Sequence, residues 1–181
     1  MRTTLAVLFA ASLASCASVP RETAEAETPP PADMRGFLLI SQEAAEHRAS
    51  HLVDEATFLR MSREPGTLVL DARSAERYAE LHIAGAVNLS FPDIAVASIE
   101  STIPDHATRV LIYCNNNFEN AERPFPEKRA IMALNIPTYI ALYNYGYRNV
   151  YELEPRLDPR ESVLPFEGSL ATQFRDASAA P

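Results

Sequence analysis

Cys114 ends the apolar run Val110-Leu111-Ile112-Tyr113 and is followed at once by Asn115-Asn116-Asn117. A strand that hands a thiol to a polar loop places it where open α/β sheets bind their ligands. The only other cysteine, Cys16, stands at the end of an N-terminal apolar run, so Cys114 reads as a lone thiol. Such a thiol is either a nucleophile or a small buried apolar residue. The residues after it bear on which. Asparagine tolerates positive φ and carries side-chain donors, so Asn115, Asn116 and Asn117 can build part of an anion nest. Glu119 and Glu122 would hold the thiol protonated if they pointed inward. Arg123, Lys128 and Arg129 are the cations able to reach back, and Arg123 and Arg129 join the asparagines as substrate-binding candidates. Phe118, Phe125 and the prolines around them could fold as a lid that keeps water from the sulfur.

A second group lies upstream. Asp71 sits where a strand meets a turn, and its carboxylate can accept backbone N–H groups or pair with Arg73 or Arg77. His82 can bond the last carbonyls of a preceding helix, and Gly85 permits a left-handed turn. Structural support is the expected role of Asp71, Arg73, His82 and Gly85. Catalysis by His82 as a general base is the sharper alternative, but no sequence feature brings it to Cys114. The four histidines are scattered; His47 and His51 stand at i, i+4 without the glutamate of a zincin, which reads as a solvated helix face. No metal site and no cofactor motif is expected.

The elements that must position these residues alternate short apolar strands with helices. Strands are expected over 51–53, 67–71, 86–89, 109–113 and 149–153. Helices are expected from an Asp54 cap to Met61, from a Ser74 cap to Leu81, over 93–103, and from Thr138, behind Pro137, to Tyr145, with Gly146 as the stop. Strands separated by helices imply an α/β fold: a mainly parallel sheet covered on both faces, in three layers.

The ends of the chain concern its compartment. Met1-Arg2 and an apolar run over 5–13, too short to span a bilayer, form a signal peptide over 1–15. Leu13-Ala14-Ser15-Cys16 resembles a bacterial lipobox, which implies lipidation of Cys16 and, with Ala17-Ser18 following, an outer-membrane anchor facing the periplasm. Residues 16–33, rich in Pro, Glu and Ala, read as a tether; 34–154 as one domain; 155–181 as a partly disordered tail. The formal charge of −8 becomes −9 once residues 1–15, whose only charge is Arg2, are removed. An acidic domain without clustered Lys or Arg argues against nucleic acid.

Leu68-Val69-Leu70-Asp71-Ala72-Arg73, then Tyr78, then His82-Ile83-Ala84-Gly85-Ala86-Val87-Asn88-Leu89 resemble the rhodanese homology domain. Val110 to Cys114 is similar to the strand that delivers that family's catalytic cysteine, and Tyr145 to Leu153 to its closing helix and strand. The resemblance covers about 53–154 and implies the rhodanese-like fold. It departs from the family after Cys114, where a short Gly- and Arg-containing loop is replaced by an enlarged, acidic one. Three functions follow from the resemblance. The first is sulfur transfer through a persulfide on Cys114, from a small sulfur-containing anion to a thiol or cyanide acceptor. The second is a non-catalytic module whose 115–137 loop recognises another envelope protein. The third is a phosphatase use of the fold, disfavoured because no arginine follows Cys114 at short spacing.

Overall fold

The computed structural model describes residues 32–174. The signal peptide, Cys16 and most of the tether expected before this region lie outside the described residues, as do residues 175–181. Among the described residues no helix is long and apolar enough to cross a membrane.

Helix α1 (Met34–Arg48) opens the domain, capped by Asp33, whose Oδ1 accepts the Gly36 N–H at 2.9 Å. Strand β1 (Leu52–Val53) and helix α2 (Glu55–Ser62) follow, with Asp54 capping the Thr57 N–H at 2.7 Å. Then come β2 (Thr67–Asp71), α3 (Ala75–Glu80), β3 (His82–Ile83), β4 (Val87–Asn88), α4 (Val96–Thr102) and β5 (Arg109–Tyr113). Helix α5 (Asn135–Asn144), β6 (Val150–Leu153) and β7 (Phe166–Glu167) complete the chain.

The main sheet runs β1-β6-β5-β2-β4, and each pair in it is parallel. Strand β5 is central, and side chains alternate across it as a strand's period of two requires. Val110 and Ile112 face one layer with Ile99, Ile103, Tyr139 and Leu142, from α4, its C-terminal end and α5. Leu111 and Tyr113 face the other with Phe58 and Met61 of α2. The α/β class with helices on both faces is therefore observed, and β5 ends in Cys114 at the sheet's carboxyl edge.

Three local expectations are corrected. Helix α5 starts at Asn135, not Thr138, because Pro137 falls inside the first turn, where its missing N–H has no intrahelical partner to lose. His47 and His51 are not a solvated helix face. Helix α1 ends between them, their rings stack at 4.0 Å, and His47 Nδ1 meets the Tyr139 hydroxyl at 2.8 Å. The short strand β3 pairs antiparallel with β7, which lies in the segment expected to be a tail. Leu164, Phe166, Ala171 and Phe174 of that segment are buried against Phe118, Ala121 and Phe125. The domain thus runs to residue 174. Scattered large apolar residues suffice when a strand pair and an aromatic cluster hold them.

Candidate functional site

Cys114 follows the last residue of β5, so its position is fixed by the most buried strand of the sheet. The chain then turns through a 3-10 segment, Asn115–Asn117, and residues 115–134 separate the cysteine from α5. Although the chain leaves for twenty residues, it returns. The peptide N–H groups of Asn135, Asn116 and Leu134 favour the Cys114 thiolate. Two of these belong to the start of α5, whose unpaired N–H groups and dipole suit an anion. Burial nevertheless outweighs them and pushes the thiol up from its ordinary value, with the Glu152 carboxylate adding to the rise. The cysteine is 1% exposed. The resting group is a protonated thiol inside a partial nest.

The three asparagines have three different partners. Asn117 Oδ1 accepts the Cys114 N–H at 2.8 Å, and its Nδ2 donates to the carbonyls of Leu153 at 2.7 Å and Pro155 at 3.2 Å. Asn116 clamps the far limb of the loop: its Nδ2 donates to Lys128 O at 2.6 Å and its Oδ1 accepts the Lys128 N–H at 3.1 Å. Asn115 Oδ1 is buried without a partner. Asn115 lines a cavity of about 430 Å³ together with Leu134, Lys128, Arg77 and Phe91. A larger groove of about 770 Å³ lies between α1, α5 and residues 91–94, and shares Phe91 and Pro92 with this cavity.

The expected cations divide. Arg123 Nε donates to Glu80 Oε1 at 2.9 Å, and its carbonyl accepts from Arg77, which is itself paired with Glu80. Arg123 is therefore turned toward α3, while Arg129 is exposed. Lys128 is the loop cation at the cavity. Glu119 pairs with Arg156 at 3.1 Å, so the carboxylate near the sulfur is Glu152 of β6, which the sequence did not single out. Its one signal was a charged residue inside an otherwise apolar last strand.

Asp71 and Arg73 make a clamp. Register places Asp71 beside Tyr113, whose hydroxyl donates to Asp71 Oδ2 at 2.5 Å. Arg73 grips the same carboxylate through Nε at 2.9 Å and Nη2 at 2.6 Å. It also donates to the carbonyls of Leu81 at 2.7 Å and Pro124 at 2.8 Å, and lies over the Phe125 ring at 4.2 Å. The loop after Cys114 is thereby anchored to the first motif. His82 shares a hydrogen bond with the Tyr78 carbonyl at 2.7 Å, stacks on the Tyr78 ring and has its Nε2 3.7 Å from Glu167 of β7, so its contacts lie with α3 and β7. Gly85 adopts φ +78° in the turn into β4. Among the described residues no three His, Cys, Asp or Glu side chains converge as metal ligands.

Cys114 thus stands at the carboxyl end of the central parallel strand, with the start of α5 acting on its sulfur. Residues 54–154 match the rhodanese-like domain, more than half of the chain, and the chain belongs to that family. Its fold is similar to that of a crystallised Bacillus halodurans protein, with a TM-score of 0.51 and 24% identity over 75% of this chain and 90% of the other. The rhodanese-like domain of an Anabaena protein, solved by NMR, is 20% identical over 72% of this chain and 87% of its own, with a TM-score of 0.45. A rhodanese with anions from E. coli is 19% identical over 57% of this chain and 99% of its own, with a TM-score of 0.39. No curated protein matches the sequence.

Proposed function

We propose that the protein is a sulfurtransferase of rhodanese type acting through a persulfide on Cys114. The reading rests on the peptide N–H groups of Asn116, Leu134 and Asn135, which favour the Cys114 thiolate at the start of α5. The Cys114 thiolate attacks the sulfane sulfur of a donor such as thiosulfate, and the sulfur–sulfur bond breaks with sulfite as leaving group. An acceptor thiolate or cyanide then takes the outer sulfur, returning Cys114 to the thiolate. The amide groups stabilise the anionic sulfur at each stage, as dipoles in a dry site do without reorganising. Lys128 and Arg77 at the adjoining cavity give the donor anion a favourable approach. Deprotonating the buried thiol is the costly step, because burial holds it above its ordinary value.

A second reading is favoured by a separate observation. Ile131 and Met132 are 75% and 64% exposed in the loop that follows Cys114, while Cys114 itself is 1% exposed. Such a surface suits a non-catalytic module in which the enlarged loop recognises another protein of the cell envelope. In both readings the domain is carried outside the cytoplasm by a lipid on Cys16, most simply at the outer membrane.

Incubation with thiosulfate followed by intact-protein mass measurement separates the two. Sulfur transfer requires the mass of one added sulfur on the wild-type chain, absent in Cys114→Ala, and cyanide-dependent thiocyanate formation lost in the same variant. A wild-type chain that gains no sulfur over a broad pH range leaves the binding module.

A further inference from the structure

A continuous chain of hydrogen bonds leads from Cys114 to an arginine on the first helix. The Cys114 N–H donates to Asn117 Oδ1 at 2.8 Å, and Asn135 Nδ2 donates to the same oxygen at 3.1 Å. That Nδ2 also donates to Glu152 Oε1 at 3.0 Å. Glu152 is in turn held by both Arg48 Nε and Arg48 Nη2 at 2.5 Å, with side chains 6% and 33% exposed. Glu152 is thus two shared side chains from the cysteine, buried, and fully engaged by a bidentate guanidinium. Arg48 lies outside residues 54–154, so the family match does not account for it.

A buried carboxylate this close to a nucleophilic thiol opposes its ionisation, and a bidentate arginine offsets that opposition. The same carboxylate fixes Asn135, a residue whose peptide N–H favours the thiolate. Resting on Cys114 as the nucleophile, we propose that Glu152 and Arg48 are its positioning residues, the carboxylate setting the helix end against the sulfur and the guanidinium cancelling the carboxylate's charge. Reactivity at Cys114 then depends on an arginine contributed by α1. The ionisable groups around this pair are Tyr139, His47 and Lys128; His47 of α1 meets the Tyr139 hydroxyl at 2.8 Å and is held below its ordinary value by burial, which favours its neutral form. Tyr139 of α5 faces Glu152, is held well above its usual range by burial, and stays protonated. Lys128 of the loop stands across the cavity beyond Asn115.

The test is a pH titration of thiolate absorbance on the full chain, taken as the difference from Cys114→Ser so that only Cys114 is read. It needs no sulfur transfer, so it stands whether or not the transferase reading does. Glu152→Gln keeps the shape and the Asn135 contact while leaving Arg48's charge, and the midpoint is expected to fall. Arg48→Gln leaves the carboxylate uncompensated, and the midpoint is expected to rise. The double variant is expected between Glu152→Gln and wild type, and Arg48→Lys closer to wild type than Arg48→Gln. Alkylation rates at neutral pH should change by roughly threefold or more in the same directions, one pH unit of midpoint being tenfold. Midpoints unmoved in both folded single variants, or moved in the same direction, overturn the proposal. Should Glu152→Gln not fold, the Arg48 pair of variants decides alone, since the Arg48 side chain is 33% exposed at the end of α1.

Discussion

Arg73→Met isolates the clamp between the first motif and the loop that follows Cys114. The guanidinium is 1% exposed and the Asp71 carboxylate 0%, so the pair is wholly buried. Its three nitrogens serve four oxygens: both of Asp71 and the carbonyls of Leu81 and Pro124. Methionine preserves most of the packing on Phe125 but leaves the carboxylate with the Tyr113 hydroxyl and the residue 73 peptide N–H alone. Removing one partner of a buried ion pair costs about 3–5 kcal/mol. Against a total stability of about 5–15 kcal/mol this is a large share. At about 2–4 °C per kcal/mol for a domain of this size, Tm should fall by roughly 6–20 °C. Arg73→Lys should recover little, because one ammonium cannot cover the same four oxygens. Asp71→Leu with Arg73→Met should be less damaging than Arg73→Met alone, since no buried charge remains. Urea unfolding followed by circular dichroism gives all three values. A loss below about 1 kcal/mol in Arg73→Met, or a lysine variant as stable as wild type, would refute the assignment of the pair as the anchor of the loop.

Other outcomes follow from the same structure. Because burial holds the Cys114 thiol above its ordinary value, its alkylation rate should climb about tenfold per pH unit from 7 to 9; a plateau already reached below pH 8 would contradict this. The same shift stabilises the fold fully below the unfolded thiol's value of about 8.5, and that contribution fades as pH rises through the folded value; urea midpoints compared between wild type and Cys114→Ala across this range measure it. Deleting residues 155–174 removes buried Leu164, Phe166 and Phe174. At about 1.5–3 kcal/mol for each large side chain the loss approaches the whole stability, so the truncated domain should not fold cooperatively. Gly168→Ala puts a Cβ 2.5 Å from the Glu80 carbonyl oxygen at φ +126°. It should therefore destabilise more than Gly85→Ala, where φ is +78° and the space is open; equal Tm values for the two would argue against the close approach of the 168 turn to α3.

Local physics made much of this protein legible from its residues. The apolar runs of β2 and β5, the Asp54 cap and the turn at Gly85 depend on neighbours a few positions away, and their periods and side-chain chemistry identify them without coordinates. The motif from Leu68 to Leu89 and the strand ending in Cys114 likewise carried the family and hence the layer arrangement. What tertiary structure alone decided is which distant groups meet. Asn135 returns to the sulfur after residues 115–134 because Asn116, Arg73 and the C-terminal aromatics hold that loop, and none of these contacts has a spacing in sequence. Arg48 and Glu152 stand far apart along the chain and meet because β1 and β6 are parallel neighbours, with α1 leading into β1. Pairings of that kind are fixed by closing long loops against a common sheet, so the cysteine could be found by reading, while the charge set around it could be found only by folding.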